Sequence, residues 1–142
     1  MTIGFTGTRK GMTPEQIARA TELLSTLGAT RVVHGCAVGA DREFHALTKK
    51  LLVVMRPVFT EQVSWAYAIA GPGDTVIDNE PDPLLRNRAI VHGADVMLAA
   101  PSGTREEQRS GTWATIRYAR KKEKHVIIVW PSGDCTEVNN GQ

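Results

Sequence analysis

The sequence predicts a three-layer, doubly wound α/β domain built on a mostly parallel sheet. Three observations predict it. Short apolar runs alternate with helix-period stretches along most of the chain, which is the pattern of successive β-α-β units with right-handed crossovers. The run Leu51-Leu52-Val53-Val54-Met55-Arg56-Pro57-Val58 is apolar through its centre rather than alternating, as a strand covered on both faces is. Glycine-bearing segments fall where strands end and helices begin, the places at which open sheets of this kind meet ligands.

The elements follow in order. Ile3 to Thr6 is strand one, broken by Gly7-Thr8-Arg9-Lys10-Gly11. Thr13 caps the first helix, Pro14 suits its first position, and Gln16 completes a capping box. Ile17, Ala20, Leu23, Leu24 and Leu27 form its apolar face, and Gly28 ends it. Thr30 to His34 is strand two. A loop, Gly35 to Asp41, leads into a helix from Arg42 to Lys50 with Phe44, Ala46 and Leu47 inward, and strand three follows. Glu61 to Ala70 reads as a helix carrying Trp65 and Tyr67, residues for packing or for a lid; Gly71 to Asp74 is a turn and Thr75 to Asp78 a short strand. Asn79 to Pro83 is a turn with Asp82 as cap, followed by a helix from Leu84 to Gly93 and a buried strand from Asp95 to Ala100. The loop Pro101 to Arg109 is polar and reads as mobile. Ser110-Gly111-Thr112 opens a helix running to Lys122, and His125 to Trp130 is the last strand. The expected organisation is one domain, 1–131, and a frayed tail, 132–142, rich in Gly, Asn and Ser.

The bulk properties narrow the function. A net charge of +2 over 142 residues permits an anionic partner but does not argue for a nucleic-acid protein. The one basic run, Arg120 to Lys124, reads as a solvated helix end, where cations suit the dipole. Cys36 and Cys135 have no metal or redox spacing, the four histidines are scattered, and neither a metal nor a cofactor is expected. Met1 to Phe5 begins a strand rather than a signal peptide, and no apolar run is long enough for a membrane. A cytoplasmic protein with reduced thiols is expected.

Candidate chemistry gathers in four segments: Thr6-Gly7-Thr8-Arg9, Gly35 to Asp41, Ser102-Gly103-Thr104 and Ser110-Gly111-Thr112. A helix that opens with Ser110, Gly111 and Thr112 offers free N–H groups and a partial positive charge to a phosphate or carboxylate. Arg9 and Arg86 would supply planar charged forks. Gly7, Thr8, Gly35 and Gly39 would let the backbone approach a ligand. Asn87 would bond a ribose or a loop backbone. Asp41 would cap the helix after it, touch a ribose, or act as a catalytic carboxyl; with Arg86 it is the candidate for catalysis. Trp113 would stack on a base or pack in the core. Glu43 would face solvent, His34 and His45 would be structural, and Cys36 has no base to make it a nucleophile.

Gly4-Phe5-Thr6-Gly7-Thr8-Arg9, His34 to Asp41, Arg86-Asn87-Arg88 and Ser110-Gly111-Thr112 resemble the SLOG superfamily of Rossmann-like domains. That group includes the DNA-processing Smf/DprA proteins and the LOG nucleotide phosphoribohydrolases. Gly39-Ala40-Asp41 followed by Phe44-His45-Ala46-Leu47 resembles the DprA side, in a small single-domain form. The resemblance covers Ile3 to about Pro131. It implies a Rossmann-like fold, a nucleotide or nucleotide-derived ligand at the carboxyl edge of the sheet, and a homo-oligomer. Against the LOG pattern, Arg86 matches the arginine ahead of the strand, and Pro101 and Gly111-Thr112 match the ends of the glycine segment. Thr115 stands where those enzymes carry a glutamate, and threonine supplies no carboxylate; Glu106 and Glu107 are off its spacing. The expected function is therefore nucleotide binding. The alternatives are a nucleoside 5′-monophosphate N-glycosidase and a DprA-like single-strand DNA binder.

Overall fold

A computed structural model describes residues 1–58, 63–78 and 80–138. Among the described residues seven strands form one sheet in the order β4-β3-β2-β1-β5-β6-β7. They are β1 (Thr2–Gly7), β2 (Arg31–His34), β3 (Leu52–Met55), β4 (Thr75–Val76), β5 (Val96–Ala100), β6 (His125–Val129) and β7 (Cys135–Val138). The first six run parallel and only β7 is antiparallel, paired with β6. The order steps outward from β1 in one direction, then returns to β5 on its other side. That reversal opens a crevice beyond the carboxyl ends of β1 and β5.

Two apolar layers follow from strand alternation. Ile3, Phe5, Val32, Leu98 and Ile127 point to one face, where α1 (Pro14–Thr26), α2 (Ala40–Ala46) and α3 (Val63–Ile69) pack. Val33, Met97, Ala99, Val126 and Ile128 point to the other, under α4 (Pro83–Gly93) and α5 (Gly111–Lys121). The expected three-layer architecture is the one observed.

The capping box at Thr13 forms in both directions, at 3.1 and 2.9 Å. Gln16 does more than close it. Its buried Nε2 donates to the carbonyls of Pro101 and Val129 at 2.8 and 2.9 Å, which ties α1 to the ends of β5 and β6. Asp82 caps α4 through the N–H of Leu84 at 2.9 Å.

Several boundaries differ from expectation. The segment read as a frayed tail carries β7, held by pairing from Val129↔Cys135 to Val126↔Val138 and by Trp130 Nε1 donating to Thr136 at 2.8 Å. Its polar composition misled because β7 is an edge strand with exposed side chains. The second helix starts at Ala40, before Arg42, and ends at Ala46. Strand four is two residues long. The predicted positions Glu61, Asn79 and 139–142 lie outside the described residues. Among the described residues no helix is long and apolar enough to cross a membrane.

Candidate functional site

Loops from the carboxyl ends of β1, β2 and β5, together with the start of α4, enclose a cleft of about 630 Å³. Thr6 to Lys10 form one wall, Ala37 and Asp41 the floor, Pro83, Arg86 and Asn87 a second wall, and Ser102, Glu107, Arg109 and Ser110 to Thr112 a third. Arg9, Lys10, Arg86 and Arg109 set four cations against the carboxyls of Asp41 and Glu107. The cleft volume lies within the range of small-ligand pockets, roughly 300–1,000 Å³.

Helix α5 presents its amino terminus to this cleft. Ser110 caps it by accepting the N–H of Trp113 at 3.2 Å, leaving the first N–H groups, at Gly111 and Thr112, on the cleft side. Trp113 itself does not line the cleft. It is buried against Trp130, with ring centroids 5.8 Å apart, so the stacking role is replaced by core packing. Thr115 donates its hydroxyl to the carbonyl of Gly111 at 2.9 Å, closing a local bond within α5.

Arg86 is 8% exposed and holds two loops together. Its Nη1 donates to the carbonyl of Gly35 and, at 3.0 Å, to that of Arg56, while Nε donates to Asn87 Oδ1 at 2.8 Å. Burial lowers its pKa, and the neighbouring Asp41 carboxyl opposes that shift. A Cβ on Gly35 would lie 2.7 Å from the Arg86 guanidinium carbon. The close approach that Gly35 permits is to the protein's own arginine.

Gly39 serves the same kind of purpose. Its φ is +86°, and a Cβ there would meet the Arg9 carbonyl oxygen at 2.4 Å. The Gly39–Ala40 turn fastens to the loop just after β1, with the Ala40 N–H donating to Thr8 O at 2.9 Å. Gly39→Ala is expected to lower unfolding free energy by about 2 kcal/mol, from left-handed strain plus overpacking. Urea unfolding measures it, and a loss below about 0.5 kcal/mol would contradict the packing described.

Asp41 does not cap α2; that position falls to Gly39. Its Oδ2 instead accepts the N–H of Ala37 at 3.1 Å. Burial pushes its carboxyl up to about 6, against the opposing pull of the Ala37 and Gly35 N–H groups, Arg86 and Arg9. Cys36, buried with φ +59°, has its thiol pushed up to about 12 by burial, so it stays protonated. Glu43, expected in solvent, accepts the Met12 N–H at 2.6 Å and braces the β1–α1 loop. The polar loop before α5 is held by Arg117, which contacts Glu106 at 2.7 Å and the carbonyls of Glu107 and Gln108.

The structure thus brings Gly7, Thr8, Arg9, Asp41, Arg86, Asn87, Ser110, Gly111 and Thr112 to one cleft, with Gly35 and Gly39 beneath it and Trp113 behind it. Sequence reasoning missed Lys10 and Arg109 and set Glu107 aside on its spacing. The only available signal for them was their place beside segments already chosen.

The chain is similar in structure to DNA processing protein A (DprA) from Streptococcus pneumoniae, with a TM-score of 0.66 at 17% identity. It has a DprA-like Rossmann fold. The match covers 89% of this chain and 49% of that one, so the chain spans about half the length of its neighbour. No family model matches the chain, and no curated protein does.

Proposed function

We propose that this cleft binds a nucleotide or nucleotide-derived ligand through its phosphate. The observation that carries the reading is convergence: an 11-residue helix N-terminus, Arg86, Arg9 and a buried carboxyl line one cavity at the switch point of the sheet. Ser110, Gly111 and Thr112 hold the phosphate through N–H and hydroxyl groups. Gly7 and Thr8 add backbone contacts, Arg9 and Arg86 balance charge, and Asp41 accepts from a ribose hydroxyl. Assignment to a small SLOG branch, and a homo-oligomeric state, belong to the same proposal.

A second reading has its own support. A carboxyl poised near 6 beside an arginine suits acid–base work at near-neutral pH. Asp41 is then the catalytic group of an N-glycosidase acting on a nucleoside 5′-monophosphate. The DNA-processing neighbour supports a third, single-strand binding, which depends on phosphate contacts and weakens steeply with salt.

One screen separates them. The melting temperature is followed against nucleoside mono-, di- and triphosphates, dinucleotides and ADP-ribose derivatives, with each ligand recovered and chromatographed. A rise with intact ligand supports binding; free base supports the glycosidase. No rise with any of them rejects both, and a salt-dependent response to oligonucleotide then favours the third.

A further inference from the structure

His34 stands at the end of β2 with no exposed surface, directly under the loop that floors the cleft. Its Nδ1 is 3.1 Å from the N–H of Cys36, and its Nε2 is 3.0 Å from Nδ1 of His45. The ring lies nearly parallel to Trp65, 12° off with centroids 5.8 Å apart. These contacts fix both tautomers. An amide N–H only donates, so His34 Nδ1 is an acceptor and the proton of the neutral ring is on Nε2. That proton is donated to His45 Nδ1, so His45 carries its own on Nε2.

The accepted N–H belongs to Cys36, a non-glycine residue at φ +59°. Such a conformation persists where surrounding contacts over-determine it. Here three side chains grip three successive residues: Arg86 takes the carbonyl of Gly35, His34 the N–H of Cys36, and Asp41 the N–H of Ala37. Ala37 and Asp41 line the cleft.

We propose that His34, held in one tautomer by the Cys36 N–H and with its Nε2 proton taken by His45, is a positioning residue that sets the Gly35–Ala37 backbone for ligand binding. The proposal rests on the phosphate-binding reading only for its effect on affinity. The effect on the loop stands apart from it.

The test uses the full chain, ¹⁵N-labelled, as wild type, His34→Leu, His34→Asn and His45→Phe. Asparagine keeps an acceptor near the Nδ1 position; leucine fills space without one. Long-range ¹⁵N–¹H spectra are expected to show His34 and His45 protonated at Nε2 only. In His34→Leu the Cys36 and Ala37 amides are expected to exchange about tenfold faster, the factor that one lost buried hydrogen bond produces. Leu98 and Ile127 amides are expected to keep their rates, and His34→Asn to restore the loop. His45→Phe is expected to leave the His34 Nε2 proton without its acceptor while the Cys36 N–H keeps the proton on Nε2. Adenosine 5′-monophosphate serves as the binding probe, with affinity expected to fall about tenfold in His34→Leu and to return in His34→Asn.

A proton on His34 Nδ1, unchanged loop exchange, or equal acceleration of all amides would overturn the proposal. So would undiminished binding of the probe by His34→Leu. If wild type binds no probe while the exchange pattern holds, the phosphate reading fails and the positioning role stands. If His34→Leu does not fold, the wild-type tautomers and the loop rates of His34→Asn decide.

Discussion

Arg86→Ala is expected to lower the unfolding free energy by about 3 kcal/mol and to abolish any phosphate-dependent rise in melting temperature. The stability loss comes from what is left behind. The carbonyls of Gly35 and Arg56 lose a charged donor in a buried setting, and Asn87 Oδ1 loses its own. An unsatisfied buried acceptor costs about 1–3 kcal/mol. The guanidinium also fills the space over Gly35, which alanine would leave open. Arg86→Lys separates charge from geometry. A lysine ammonium is one point charge on a flexible stem and cannot reproduce three directed bonds. Arg86→Lys is therefore expected to recover less than half the stability while keeping some response to phosphate. Urea unfolding of the three proteins, paired with the ligand screen, reads both effects. Full stability in Arg86→Ala would contradict the loop-clamping role, and an undiminished ligand response would remove Arg86 from the binding site.

The loop clamp made by Arg86 shows which features were legible in the sequence. Helix caps are local, so Thr13 and Asp82 declared themselves through residue type and spacing; the apolar run of β3 marked a strand but not its burial, since Leu52 is exposed and Val54 half-buried. The fold class followed from that alternation. The cleft was legible in outline because loops after parallel strands must share one edge of the sheet. Its internal wiring was not. A glycine after a strand looks the same whether it admits a ligand or an arginine from 51 residues away, and Gly35 admits the arginine. Trp113 at the first turn of α5 is equally suited to base stacking and to the core until the position of Trp130 is known. Asp41 met two local conditions for a cap, yet the Gly39 turn shifted the helix start and sent its carboxylate back to Ala37. β7 carries its information in hydrogen bonds to β6 rather than in side chains, and composition cannot report those.

Asp41 gives the second large effect, and its sign is opposite to that of an ordinary surface carboxylate. Its carboxyl ionises at about 6 in the folded protein against 3.8 for the free group, because burial disfavours the anion more than Arg86, Arg9 and the loop N–H groups favour it. Between those two values the folded state holds a proton that the unfolded state has lost. Stability linked to this group is therefore fully present below about pH 4 and declines as pH rises towards 6. The loss is about 3 kcal/mol, from a shift of roughly two units at about 1.4 kcal/mol each. Asp41→Asn keeps an oxygen for the Ala37 N–H and removes the charge. The difference in unfolding free energy between wild type and Asp41→Asn is expected to be near zero at about pH 4 and to reach about 3 kcal/mol in favour of asparagine at about pH 7. Urea curves across that range isolate Asp41, because the other titrating groups are common to both proteins. A constant difference, or a wild type more stable at neutral pH, would contradict the burial described. The same carboxylate lines the cleft. It also constrains the ligand. A phosphate brought near Asp41 raises its pKa further, so binding at neutral pH should take up protons, whereas a ribose hydroxyl donating to the carboxylate should not. The difference in proton exchange on binding between wild type and Asp41→Asn, measured by calorimetry in buffers of different ionisation enthalpy, thus reports which end of the ligand lies against Asp41.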